Sequence, residues 1–154
     1  MKSLARAGDK AEVLARLKAL QSDSLRRWGR MSAHQVVCHL ADCFRMATGE
    51  KATSPASGPL QRTLVKWVAL YLPVRWPEGR IQTRPELDQA AGGGTCPTDF
   101  AADVADLERL IDRITGPARG LDGQLHPIFG RLSDTAWLRW GYLHVDHHLR
   151  QFGV

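Results

Sequence analysis

Cysteine is scarce in this chain. Cys38, Cys43 and Cys96 are the only three in 154 residues, an odd number without C-x-x-C spacing, which argues against a disulfide framework or a cysteine-based zinc knuckle. They read as small buried thiols. No apolar run reaches the roughly 18 residues of a membrane-spanning helix. The segment Met1–Asp9 has no apolar core of the kind a secretory signal carries, so a cytoplasmic protein with no membrane partner is expected. The net charge of +5 is spread over scattered Lys and Arg with no basic run interleaved with aromatics, so no nucleic-acid partner is expected. A solvated basic surface that favours anionic small-molecule substrates fits better. Strand alternation, internal repeats and low-complexity segments are also missing.

What is present is helical periodicity. Hydrophobic residues at 44% and charged residues at 24% suit one globular domain over residues 1–154, large enough to bury a core without staples. Leu4, Ala7, Ala11, Leu14, Leu17 and Leu20 recur at helical spacing and predict a first helix. Ser32-Ala-His-Gln35 is a capping box opening a second helix over about residues 33–48, with Val36, Val37, Leu40, Cys43, Phe44 and Ala47 on its apolar arc. His39 projects within that arc; His34, Cys38 and Arg45 lie outside it, with His34 read as exposed. Breakers then follow from Gly49 to Pro97, among them Ser54-Pro-Ala-Ser-Gly-Pro59 and Ala91-Gly-Gly-Gly94, around one short helix over about 60–72. Thr98 is a plausible cap for a third long helix carrying Phe100, Val104, Leu107, Ile111 and Ile114, which Gly116-Pro117 stops. Ser133 caps the last. Four long helices, with a long crossover containing an extra short helix between the second and third, make an all-α four-helix bundle the economical architecture. Homodimerisation is plausible, but no residue specifies an interface.

The last helix is the most informative. At about 100° per residue, Trp137, Gly141, His144, His148 and Phe152 fall within one arc of roughly 80°, while Arg139, Asp146 and Arg150 point the other way. His144 and His148 should therefore face the core one turn apart, where each ring nitrogen needs a partner. A cation can be that partner. With His39 from the second helix they form a three-histidine set that leaves coordination positions open, the pattern of catalytic rather than structural metal sites. Such a metal lowers the pKa of a bound water or holds a thiolate as nucleophile, and nitrogen ligands alone do not choose among zinc, nickel, copper, cobalt and iron(II). The plainer alternative is a set of core histidines satisfied by carbonyls or carboxylates. His147 reads as a surface residue at the edge of the arc. His126 lies in a loop, where it lines a pocket mouth or caps a helix end. Asp42 and Asp146 sit off the inward face, and Trp137 and Trp140 read as packing.

Three segments, Trp28-Gly-Arg-Met-Ser-Ala-His-Gln-Val-Val-Cys-His39-Leu-Ala-Asp42, His126-Pro-Ile-Phe-Gly-Arg-Leu-Ser133 and His144-Val-Asp-His-His148-Leu-Arg-Gln-Phe-Gly153, resemble the DinB-like superfamily. More narrowly, they resemble its branch of small bacterial proteins of uncharacterised function. The resemblance implies an up-down-down-up four-helix bundle holding a divalent metal, zinc or nickel, on one histidine of the second helix and two of the fourth. Residue by residue these are His39, His144 and His148. It further implies a metal-dependent enzyme of thiol S-transferase or hydrolase type, with a low-molecular-weight thiol as a further cofactor. A non-catalytic bundle that binds a metal or ligand is the alternative.

Overall fold

The structure, a computed structural model, describes residues 1–56 and 58–154; Ser57, inside the first breaker run, lies outside the described residues. The chain is mostly helical, with five α-helices and one small two-stranded sheet. Helix α1 (Ala7–Ala19) buries Asp9, Val13 and Leu17. Ala7 and Ala11, expected on its apolar face, are exposed. Leu4 lies ahead of the helix and is nonetheless buried, because its N–H donates to the Leu138 carbonyl (3.1 Å) and pins the N-terminal turn onto the last helix.

Helix α2 (Ala33–Ala47) begins as its capping box predicts: the Ser32 hydroxyl accepts the Gln35 N–H (3.2 Å) and the Gln35 side-chain oxygen accepts the Ser32 N–H (2.9 Å). It is buried nearly all round, since α4 (Phe100–Thr115) packs on one side and α5 (Asp134–Gln151) on another. That is why Cys38, off the apolar arc by phase, is buried too. Helix α4 is capped by the Asp99 carboxylate, which accepts the Ala102 N–H (2.8 Å), one residue beyond the Thr98 expected. Ser133 caps α5 through the Ala136 N–H (3.2 Å). Helix α1 packs on α5 as well. Gly141 allows the close approach of α5 to its neighbours, since a Cβ there would stand 2.9 Å from Leu4 Cδ1 and 3.2 Å from Phe44 Cε1. Arg139 corrects the helical-phase reading: it is buried, donating to the carbonyls of Leu70 and Lys2 rather than facing solvent.

The crossover between α2 and α4 contains a π-helical turn, Gln61–Val65, running into the short helix α3 (Lys66–Tyr71), and two 3₁₀ turns, Pro85–Leu87 and Gln89–Ala91. The second 3₁₀ turn and the residues after it are tied to α2 by a buried carboxylate. Asp42 accepts from the Gln89 side chain (2.9 Å) and from the Thr95 N–H and hydroxyl (both 2.7 Å), and is ion-paired with Lys51 (3.0 Å). Close approach here requires Gly93, where a Cβ would lie 1.9 Å from the Pro85 carbonyl oxygen. The sheet pairs β1 (Leu125–His126) with β2 (Gly130–Arg131), antiparallel. Two residues per strand are too few to show alternation in sequence. No described helix is long and apolar enough to cross a membrane.

Candidate metal centre

Helix α2 and helix α5 deliver the three imidazoles to one place. One nitrogen from each of His39, His144 and His148 lies within 4.8 Å of the other two, and the Nε2 atoms of His39 and His144 are 3.3 Å apart. Tetrahedral zinc with Zn–N bonds of ~2.0–2.1 Å would separate two nitrogens by about 3.3 Å, so this pair already has ligand spacing. The far nitrogens are held from behind. His39 Nδ1–H donates to the Leu87 carbonyl (2.8 Å), which the first 3₁₀ turn presents. The Nδ1 of His148 meets the Gln151 side-chain oxygen (3.0 Å), and the Gln151 amide nitrogen donates to the Trp28 carbonyl (2.7 Å). That second bond fixes which end of the amide faces the ring, so His148 Nδ1 is the protonated nitrogen and its Nε2 carries the lone pair. Sequence periodicity placed the rings but did not reveal these supports, which come from loop carbonyls and a residue one turn on.

Burial holds His39, His144 and His148 below the ordinary imidazole pKa; His144 and His148 are depressed further by the rings around them. At neutral pH all three are uncharged, which is the state a metal ligand requires. The donor set of three neutral nitrogens, two of them oriented by carbonyl-type oxygens, fits a borderline divalent cation.

The triad forms part of the wall of an open, mostly apolar cavity of about 540 Å³, also lined by Leu64, Val65 and Val68 of the crossover helix and by Trp76, Ile128 and Phe129. The Cys43 thiol also reaches this wall, 3.6 Å from His39 Nε2; burial pushes its pKa well up, so it keeps its proton. Two more histidines line the cavity. His147, expected at the surface, is buried between Trp28 and Trp76 (ring centroids 6.0 and 5.9 Å), and its Nδ1 has no hydrogen-bond partner among the described residues. Burial, and then Arg150, lower its pKa to about 4. Helical phase missed this burial because both tryptophans come from non-helical segments. His126 Nδ1 accepts the N–H groups of Ile128 and Phe129 (both 3.1 Å), so it caps the β-turn as well as lining the pocket. Burial takes its pKa down to about 3.

The remaining sequence candidates lie elsewhere. His34 is half-buried rather than exposed, 2.7 Å from Asp103. Asp42 is fully buried, and Asp146 pairs with Arg16 (2.7 Å) and Arg150 (3.0 Å). Trp137 and Trp140 pack edge to face at 5.3 Å, as expected of core residues, and Cys96 is exposed, unlike the other two thiols.

Fold and site together define a helical protein with three neutral imidazoles on the wall of an apolar cavity. The chain belongs to the family described as protein of unknown function (DUF1569), whose pattern matches residues 3–153. No curated protein and no solved structure matches it.

Proposed function

We propose that this chain is a metal-dependent enzyme of thiol S-transferase or hydrolase type, built as an up-down-down-up four-helix bundle of the DinB-like kind. Three nitrogens converging, with the outer Nδ1 of His39 and of His148 already engaged, is the observation that carries the reading. His39, His144 and His148 hold the divalent metal, zinc or nickel, and Leu87 and Gln151 keep the rings turned inward. When bound, such a metal supplies Lewis-acid activation of a water or a thiol as nucleophile. The cavity's apolar walls exclude bulk water and hold a small-molecule substrate beside the triad. In this reading the nucleophile is water or a low-molecular-weight thiol from outside the chain.

A second reading, a bundle that binds a ligand without turnover or simply satisfies its own histidines, is favoured by one observation. The 3.3 Å contact between His39 and His144 is also the length of an N–H···N hydrogen bond. Elemental analysis of protein purified without a histidine tag separates the two, since the metalloenzyme carries about one metal per chain. Chelation then lowers the melting temperature. A metal at a hundredfold excess over its Kd stabilises by about 2.7 kcal/mol, which corresponds to roughly 5–10 °C for a chain of this size. Metal without turnover across thiols and electrophiles selects the binding protein; no metal and no response to chelator selects the self-satisfied core.

A further inference from the structure

Between Glu50 and Glu78 the chain has no acidic residue. This stretch carries the most exposed apolar surface of the described residues: Leu60, Leu64, Val65, Trp67, Tyr71 and Val74 are all exposed, Leu60 at 57% and Trp67 at 54%. Scattered single apolar residues are ordinary on a surface, but six large ones within fifteen positions form a patch that water disfavours. Cations border it. Arg62 and Lys66 lie on the same helix, and Lys66 Nζ donates to the Arg131 carbonyl (3.4 Å), which brings the basic end of the β-hairpin alongside.

The chemistry of that face selects its partner. In a two-fold pairing of two copies the patch would meet a surface that offers its cations no acid, since residues 60–74 contain none, whereas an anionic surface supplies the missing charge. A helix showing Leu, Trp and Tyr beside Lys and Arg, in a stretch without an acid, matches the interface between hydrocarbon and anionic headgroups. The same helix turns Leu64, Val65 and Val68 onto the apolar cavity, so the patch adjoins the cavity wall. We propose that the face built by residues 60–74 docks peripherally on an anionic lipid surface, with Leu60, Trp67 and Tyr71 entering the headgroup boundary and Lys66 and Arg131 meeting lipid phosphates. No described helix is long and apolar enough to span the bilayer, and the docking does not depend on whether the histidines hold a metal. It departs from the expectation, drawn from the absence of a spanning helix, that the chain has no membrane partner.

Flotation of the full chain with vesicles tests this. At low ionic strength the protein floats with vesicles of equal parts phosphatidylglycerol and phosphatidylcholine and stays behind with phosphatidylcholine alone; added salt releases it. The pair Leu60→Glu and Trp67→Glu, at exposed positions off the cavity wall, lowers the bound fraction at least about tenfold with melting temperature and metal content unchanged. Should that pair fold poorly, Lys66→Gln with Arg131→Gln reads the electrostatic half, about fivefold per charge removed. Absence of flotation with anionic vesicles, equal flotation of the variants, or a light-scattering dimer that the Glu pair dissolves would overturn the proposal, the last by assigning the face to a second copy.

Discussion

Helix α2 carries two three-residue clusters with metal-ligand character, and they are chemically opposite. His39 meets His144 and His148 across the α5 side; His34 and Cys38 meet Asp103 across the α4 side. In the second cluster one carboxylate oxygen of Asp103 sits 2.7 Å from His34 Nε2, 3.5 Å from the Cys38 thiol and 3.2 Å from the Thr98 N–H. Burial, with Asp103 adding to it, pushes the Cys38 pKa to about 12, so in the metal-free chain the thiol keeps its proton and hydrogen-bonds the carboxylate. Donors and acceptors already match there, and the cluster acts as a polar tie between helices. In the first cluster one nitrogen from each of three imidazoles converges with no carboxylate among them, and the Nδ1 protons of His39 and His148 are turned away to carbonyl oxygens. Proximity is common to both clusters; the shortage of protons between the rings sets the first apart.

Replacing one member of each cluster should break the comparison most sharply at the first. His144→Ala takes tag-free protein from about one bound metal per chain to less than about a tenth, measured by elemental analysis. Retention of metal in that variant would move the site elsewhere or dismiss it. Next in size is Asp42→Asn, which acts on the support behind His39. It strips a buried charge from Lys51 and the Thr95 donors and should cost about 3–5 kcal/mol by chemical denaturation. Burial alone would raise the Asp42 carboxyl pKa, but the Thr95 N–H and hydroxyl and Lys51 more than reverse this, leaving it below the ordinary carboxylate value. A carboxyl depressed in the folded state gives stability that is complete above the unfolded pKa of about 4 and lost as the pH falls through the folded value. The wild-type chain therefore shows an acid loss below about pH 4 that is shallower in the Asn variant.

Sequence periodicity reached the first cluster because its three members lie on the two most regular helices, where a fixed angle per residue decides which way a side chain points. Ser32-Ala-His-Gln35 set the frame of α2 to the residue, and Ser133 did the same for α5. Periodicity failed wherever a partner came from irregular chain. His147 and Arg139 were misread because Trp28, Trp76, Leu70 and Lys2 cover a side of α5 that a lone helix would show to water. The full burial of Asp42 was not legible because the Gly93–Thr95 turn closes over it, and nothing in the spacing of α2 announces a loop returning from fifty residues away. The apolar cavity was not legible for the same reason: much of its wall belongs to the breaker-rich crossover.

Smaller substitutions sharpen the contrast. Gln151→Ala removes the acceptor that turns His148 and should weaken metal binding by about 10- to 100-fold in a competition titration, leaving helix content unchanged. Unchanged affinity would mean that the ring is held by its packing alone. The smallest effect belongs to the second cluster. His34→Ala removes one partner of a half-buried hydrogen-bonded pair while the Cys38 thiol and the Thr98 N–H continue to serve Asp103, so the cost is about 1 kcal/mol and the metal content does not move. Loss of metal on replacing His34 would show that matched donors do not disqualify a cluster, and the rule separating the two sides of α2 would fail.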